Sequence, residues 1–337
     1  MDKKERLLGL TALKGLFIWI IVLHNTFSLD PLLEHIPGMA FIRLFGGSLG
    51  NSMFFILSGF LMSWGYRNRI RSGQITFGVF LQRRLKKLYP MYALSNGASL
   101  AVSLWQYGVS AINLKRIAFT ALLLGGVIGQ PGPYNHPSWF VPCLMVCYAL
   151  FYAGTFWTKS DTAYRVFLLG VIAAGYYFSG KDWEVPFMAS GIGVAYLNFF
   201  IGCALAEVYP FVRAKQKNRV RMESLLIFAL LLSVYLMLRY GVEIISGGSA
   251  MAFSFVVCPG ILYLAYEEGM VSRILSWKPL QFLGSISMGV FYWHLVLYLA
   301  IRHILGGMTI GWYGIYLLIV LFAGILTSRL TRKKTTV

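Results

Sequence analysis

The chain has 337 residues, 58% of them hydrophobic and only 12% charged, with a mean hydropathy of +0.66. A soluble domain carries about 25% charged residues, so this composition excludes an ordinary water-soluble globule. The 30 Lys and Arg against 12 Asp and Glu, a formal +18, would suggest nucleic acid in a soluble chain but cytoplasmic loops in a membrane chain, so the placement of the cations decides between them.

Eleven apolar runs approach the roughly 20 residues that a membrane-crossing helix needs. The first, 8–28, follows Lys3, Lys4 and Arg6 and lacks a small-residue cleavage pattern, which predicts a retained signal anchor. It holds Lys14 and His24, about 15 Å apart along a helix, at two depths of one path. An ionisable side chain within a span is a functional candidate. Lys14 is placed to meet an anion arriving from the cytoplasm, and a neutral His24 to take a proton from a hydroxyl on the outer side. The competing reading has Lys14 snorkelling to the interface and His24 capping the span.

Run 44–65 leads into a cytoplasmic segment with Arg67, Arg69, Arg71, Arg83, Arg84, Lys86 and Lys87. The last four stand directly before Pro90 and run 88–108. Such a cluster suits phosphates, Arg through bidentate donors and Lys as a point charge. Positive-inside anchoring or anionic-lipid binding accounts for the same residues without a specific ligand. Run 116–129 is short, opens on Arg116 and closes on Gly125, Gly126 and Gly129, which predicts an interfacial or re-entrant segment. The outer loop 130–137 brings Asn135 and His136 beside Trp139, which opens run 138–157; an imidazole and an aromatic there suit a sugar face, or plain interfacial anchoring.

Runs 164–180 and 188–208 flank an outer loop in which Trp183 lies between Asp182 and Glu184, a further saccharide candidate or a solvated turn. Loop 209–223 carries Arg213, Lys215, Lys217, Arg219 and Arg221. Runs 224–240 and 249–267 flank the outer loop 241–248, and 269–279 faces the cytoplasm. Run 281–303 places His294 about 13 residues in, roughly 20 Å along the helix, either facing a pore or bridging helices. His35 and His303 read as loop and interface residues. Run 309–329 is followed by Arg329, Arg332, Lys333 and Lys334.

Most of the cations lie in four clusters between runs, so the positive charge reads as a topology signal and a nucleic-acid partner is not expected. Both termini then face the cytoplasm, crossings are even in number, and 116–129 does not cross. The expectation is an all-α integral membrane protein of about ten transmembrane helices. It forms one domain over 1–337 with no appended soluble domain. Cys143, Cys147, Cys203 and Cys258 sit in apolar runs as small hydrophobes, with no disulfide or metal framework. The carboxylates, including Asp30, Glu34, Asp161, Glu207, Glu243, Glu267 and Glu268, fall in loops or near span ends, which argues against a proton-driven pump.

The stretch Phe54-Phe55-Ile56-Leu57-Ser58-Gly59-Phe60-Leu61-Met62, followed by Phe80-Leu81-Gln82-Arg83-Arg84-Leu85-Lys86-Lys87-Leu88-Tyr89-Pro90-Met91-Tyr92, resembles paired signatures of the acyltransferase 3 family. Asn135-His136-Pro137-Ser138-Trp139-Phe140, Phe199-Phe200-Ile201-Gly202, and Phe282-Leu283-Gly284 through Tyr292-Trp293-His294 are similar to later landmarks of that family, in the same order. The resemblance covers nearly the whole chain.

It implies an enzyme that moves an acyl group, commonly acetyl, from cytoplasmic acyl-CoA to a hydroxyl of a surface polysaccharide or lipid-linked saccharide. Acyl-CoA would be a co-substrate, with no bound cofactor. The bacterial cytoplasmic membrane is the implied location, and the sequence carries no sign of oligomeric state. On this reading Arg83, Arg84, Lys86 and Lys87 hold the donor's phosphates, and His24, Lys14 and His294 are the catalytic candidates, with His24 as base or transient acyl carrier. Asn135, His136 and Trp139 contact the acceptor. A transporter or flippase that moves a saccharide or lipid without chemistry is the rival class.

The chain departs from the family's first-span pattern of Asp, two residues, Arg, ten residues and His. Thr11 stands at the Asp place, Lys14 at the Arg place, and nine residues separate Lys14 from His24, which leaves Asn25 at the strict His position. Either the helix register shifts locally or His24 faces aside; His24 keeps the role because Asn25 cannot act as a base.

Overall fold

The structure, a computed structural model, describes residues 3–30, 36, 38–181, 183–215, 223–232, 235, 252–266 and 269–333. Glu34, His35, Asp182, Lys217, Arg219, Arg221, Glu243, Glu267, Glu268, Lys334, the loop 241–248 and most of 233–240 lie outside them.

Each of the eleven runs overlaps a helix among the described residues. In chain order these are α1 (Lys3–Phe27), α2 (Met39–Arg71), α3 (Phe77–Tyr107), α4 (Leu114–Ala121), α5 (Phe140–Trp157), α6 (Asp161–Ser179) and α7 (Ser190–Lys215). Then follow α8 (Glu223–Leu232), α9 (Phe253–Tyr266, opening on a π-helical turn), α10 (Met270–Leu275), α11 (Lys278–Leu305) and α12 (Ile310–Lys333). A 3-10 turn, His136–Trp139, leads into α5. No strand occurs among the described residues.

Six segments are long and apolar enough to cross a membrane: Leu8–Phe27, Met39–Arg71, His136–Trp157, Ser190–Pro210, Lys278–Leu305 and Ile310–Leu330. On length and composition, and among the described residues, these account for six of the ten crossings expected. Of the other expected spans, α3 buries Ser95, Asn96 and Ser99, and the described parts of α8 and α9 are apolar and border residues outside the description. Segment 116–129 resolves into the eight-residue α4 and a loop, too short to span.

The helices pack in two tight seams, α2 along α7 and α1 along α11, with α6 beside α7, α2 beside α1 and α12 beside α11. Glycine sets both seams. A Cβ on Gly59 would run into the Phe199 carbonyl and one on Gly202 into the Ile56 carbonyl, so α2 and α7 meet backbone to backbone. A Cβ on Gly284 would strike the Thr11 carbonyl, and one on Gly15 would come 2.6 Å from the Gly284 nitrogen. Close approach through small residues is the ordinary means by which helices associate in lipid, where burial alone gives little drive. Between the seams lies an aromatic core that includes Phe55, Phe80, Phe151, Phe199 and Tyr92, all fully buried. The four cysteines are buried, as expected of small hydrophobes.

Where the C-terminal ends of α2 and α7 meet the start of α6, Arg67 pairs with Asp161 at 2.7 Å and with Glu207 at 3.1 Å, and Arg71 pairs with Asp161. Hydrogen bonds from Arg71 and Arg67 hold the Asp161 carboxyl below its usual range. These cations are neutralised by protein, which matters for those that are not.

Candidate active site

α1 is continuous from Lys3 to Phe27, so its register does not shift. At about 100° per residue, Asn25 lies eleven residues and about 20° from Lys14, on the same stripe, whereas His24 lies about 80° away from it. Of the two alternatives, His24 facing aside is the one realised.

The stripe through Asn25 faces α11. The Asn25 Nδ2 lies 3.0 Å from Nε2 of His294, a ring with no solvent exposure. On its other edge, Nδ1 of His294 lies 2.8 Å from the Phe291 carbonyl and 3.2 Å from that of Val290. Carbonyls only accept, so Nδ1 carries the proton and Nε2 presents a lone pair to the Asn25 amide. From α12, Tyr316 donates to the His294 carbonyl at 3.1 Å.

His24, half-buried, turns toward α2. Its Nδ1 donates to the Ile42 carbonyl at 3.2 Å, and its Nε2 lies against Gly47, where a Cβ would come within 2.5 Å. The two histidines thus lie on different sides of α1 and are not brought together.

At the start of α3, helical period splits the four clustered cations into two pairs three residues apart. Arg83 and Lys86 point outward and are exposed. Arg84 points inward, its guanidinium 4.5 Å above the Tyr66 ring with Phe80 at 5.6 Å and Tyr148 at 5.9 Å. Its Nε is buried without a hydrogen-bond partner among the described residues. Lys87 lies near enough to Lys14 of α1 for the two ammonium groups to repel. Lys87 is exposed as a residue, like Arg83 and Lys86, yet burial around its ammonium, and then the charge of Arg84, hold its pKa below that of an ordinary lysine. Lys14, Arg84 and Lys87 therefore converge from two helices, and no ion pair to a carboxylate is formed by any of them among the described residues. This arrangement favours an anion.

The candidates of 135–139 divide. Asn135 is buried; its backbone N–H donates to Oδ1 of Asn96 and its Nδ2 donates to the Tyr292 carbonyl, both at 2.9 Å. Asn96 in turn donates to Ser138 at 3.0 Å, and Ser138 donates to the Asn135 carbonyl at 2.7 Å. This network fastens the loop to α3 and to α11 two residues before His294. Trp139 packs inward with its ring 6.1 Å from that of Phe55. His136 alone of the three faces outward and is exposed. Two further groups shape the site without a sequence signal of their own: Tyr66 and Tyr148 become partners of Arg84 only through the tertiary packing of α2, α3 and α5. Asn25 was detectable from its eleven-residue spacing to Lys14.

Comparison with known proteins places this architecture. The chain is 25% identical over 316 residues to the Bacillus subtilis (strain 168) protein named "Putative peptidoglycan O-acetyltransferase YrhL", covering 77% of this chain and 48% of that protein. It is 25% identical over 279 residues to "O-acetyltransferase OatA" of Staphylococcus aureus (strain NCTC 8325 / PS 47), covering 74% and 46%. A third relative, "Protein 2 in picA locus" of Rhizobium radiobacter, is 28% identical over 144 residues, covering 39% and 68%. The chain thus spans about half the length of the first two relatives. No solved structure matches. The Acyl_transf_3 family profile, described as an acyltransferase domain, matches residues 7–329, and the chain belongs to that family.

Proposed function

We propose that this protein is a multi-pass membrane O-acetyltransferase that takes acetyl from acetyl-CoA on the cytoplasmic side and transfers it to a saccharide hydroxyl on the outer side. Peptidoglycan, named for a relative, is the first acceptor to test. The observation that carries the reading is the alignment of two features on one face of α1: the Lys14, Arg84 and Lys87 cluster at one end and the Asn25–His294 pair at the other. A donor whose phosphates rest at Lys14 has to bring its thioester about 16 Å along α1 to reach Asn25. Arg84 and Lys87 bind the phosphates, and Arg83 and Lys86 add to the field that draws the anion in.

In the reaction the acceptor hydroxyl gives its proton to a histidine as its oxygen attacks the thioester carbonyl. The new C–O bond forms, the C–S bond breaks, and the thiolate leaves and is protonated to CoA. We assign the base to His294, because it stands on the Lys14 stripe through Asn25. A second reading gives the role to His24, supported by its Nε2, which forms no hydrogen bond among the described residues. The acceptor enters past the exposed His136, while Asn135 and Trp139 hold the wall of the path.

The test is radiolabelled acetyl-CoA with the purified protein in vesicles and peptidoglycan fragments outside. Label in the glycan ester and release of CoA support the reading. If no acceptor is labelled while saccharide still crosses the vesicle, the protein is a transporter and the reading fails.

The donor site gives its own expected results. Arg84→Ala and Lys87→Ala should each raise KM for acetyl-CoA by about tenfold or more with kcat little changed, since a hydrogen bond to a charged group contributes about 1.5–3 kcal/mol. Arg83→Ala and Lys86→Ala, on the outward face, should change KM by less than about threefold, consistent with the small worth of exposed charges. The lowered pKa of Lys87 sets the direction of the pH effect. As pH rises the site loses this positive charge earlier than an ordinary lysine would, so KM should climb on the alkaline side. In Lys87→Arg, which keeps its charge, that climb should become shallower, and initial rates across pH check it.

A further inference from the structure

We propose that Asn25 is a positioning residue whose side-chain amide serves both protonation states of His294 by turning over. The inference rests on the assignment of His294 made above and adds to it how a fully buried ring takes up and gives back a proton.

In the state observed, Nδ1–H of His294 is engaged by the carbonyls of Phe291 and Val290, and the Nε2 lone pair accepts from Nδ2 of Asn25. A proton arriving on Nε2 turns that atom from acceptor into donor. Nδ1 cannot relieve it, because its proton is committed to backbone carbonyls of its own helix. Nε2–H then needs an acceptor in the same place, and Asn25 supplies one when its amide rotates so that Oδ1 replaces Nδ2. Asparagine is suited to this because it carries a donor and an acceptor on one rotatable group. A carboxylate would only accept, and a hydrocarbon would do neither.

The surroundings leave the task to Asn25. From α12, Tyr316 addresses the His294 carbonyl, not the ring, and Tyr313 is bonded to Thr26 of α1 at 2.6 Å. On α11 itself Tyr298 donates to Asp30, which also holds Arg302 at 2.7 Å, and Tyr292 donates to the Leu88 carbonyl at 3.1 Å. From α3, Tyr92 donates to the Thr120 carbonyl at 3.1 Å. His24 is turned to α2. Among the described residues the ring of His294 has hydrogen bonds only to Asn25, Val290 and Phe291.

The experiment uses the full chain in lipid nanodiscs, labelled with [15N]histidine, with His294→Gln to assign the ring signals. Wild type should show a neutral Nδ1–H ring near neutral pH. In Asn25→Asp the ring should hold its proton to a pH at least one unit higher, and in Asn25→Leu, which lacks any partner, to a pH lower than wild type. The acid limb of kcat/KM for acetyl transfer should move in the same directions, a change that a purely structural Asn25 would not produce. Unmoved titration in both variants, or an Nε2–H ring in wild type, overturns the proposal. If the ring titration shifts as expected while wild type transfers no acetyl group, the positioning role stands and the acetyltransferase reading falls. If acetyl transfer is robust while the titration stays fixed, the reverse holds.

Discussion

Replacing His294 by glutamine should lower kcat/KM for acetyl transfer by about 10²–10⁴-fold, the usual contribution of a general base, whereas His24→Ala should leave the rate within about tenfold of wild type. The loss corresponds to about 2.7–5.5 kcal/mol of transition-state stabilisation. Glutamine is preferred to alanine because the ring is wholly buried, and a smaller side chain would leave a cavity whose collapse would confuse the measurement. Glutamine keeps an amide for Asn25 to bond while removing the titrating group. The reasoning is geometric. α1 carries its register unbroken from Lys14 to Asn25, so the chemistry follows the face, and the face ends on His294 rather than on His24. The opposite result, a large loss in His24→Ala with near-normal rates in His294→Gln, would move the base to the α2 side of α1, where His24 keeps its lone pair over Gly47.

What could be read from the sequence followed from local rules, and what could not followed from packing. Apolar runs located the helices because lipid and core both select hydrophobic length. Six of the ten expected crossings have the length and composition of a span among the described residues; a run reports apolar character, not depth, and α3 turns polar residues inward. That Arg84 and Lys87 share one side of α3 was implicit in their three-residue spacing, but Tyr66 and Tyr148 became partners of Arg84 only when α2 and α5 were folded against α3. The Asn25–His294 contact joins residues 269 positions apart, a separation over which no periodicity speaks. Asn135 and Trp139 were expected at the outer surface because their loop lies between runs. Both turn inward because the buried Asn135 amide and N–H find partners on α11 and α3.

Gly59→Leu and Gly284→Leu should each abolish recovery of folded protein, and the milder Gly59→Ala and Gly284→Ala should lower the thermal midpoint in detergent, while Gly97→Ala should leave it unchanged or raise it. The three glycines are all helical, so propensity alone predicts the same sign for each: alanine stabilises a helix interior by about 0.5–1 kcal/mol over glycine. Packing reverses that sign at two of them. A Cβ at Gly59 meets the Phe199 carbonyl and one at Gly284 meets the Thr11 carbonyl, and neither obstacle is a side chain that can swing away. Relief requires two helices to separate along a seam, and overpacking of even one methylene costs about 1–3 kcal/mol or more. At Gly97 nothing lies within 4 Å of the added carbon, so only the helix preference remains. The α1–α11 seam has a further consequence. Gly284 lies ten residues before His294 on α11, and Thr11 lies three before Lys14 on α1. Widening the seam would therefore draw the cation end of the stripe and the Asn25–His294 pair apart. Gly284→Ala should accordingly lose acetyl transfer beyond what its fall in stability explains, whereas Gly59→Ala, in the α2–α7 seam, should lose activity only in proportion to folded protein. Equal specific activity of the folded fractions would show that α1 and α11 tolerate separation and would remove the rigid seam from the account of catalysis.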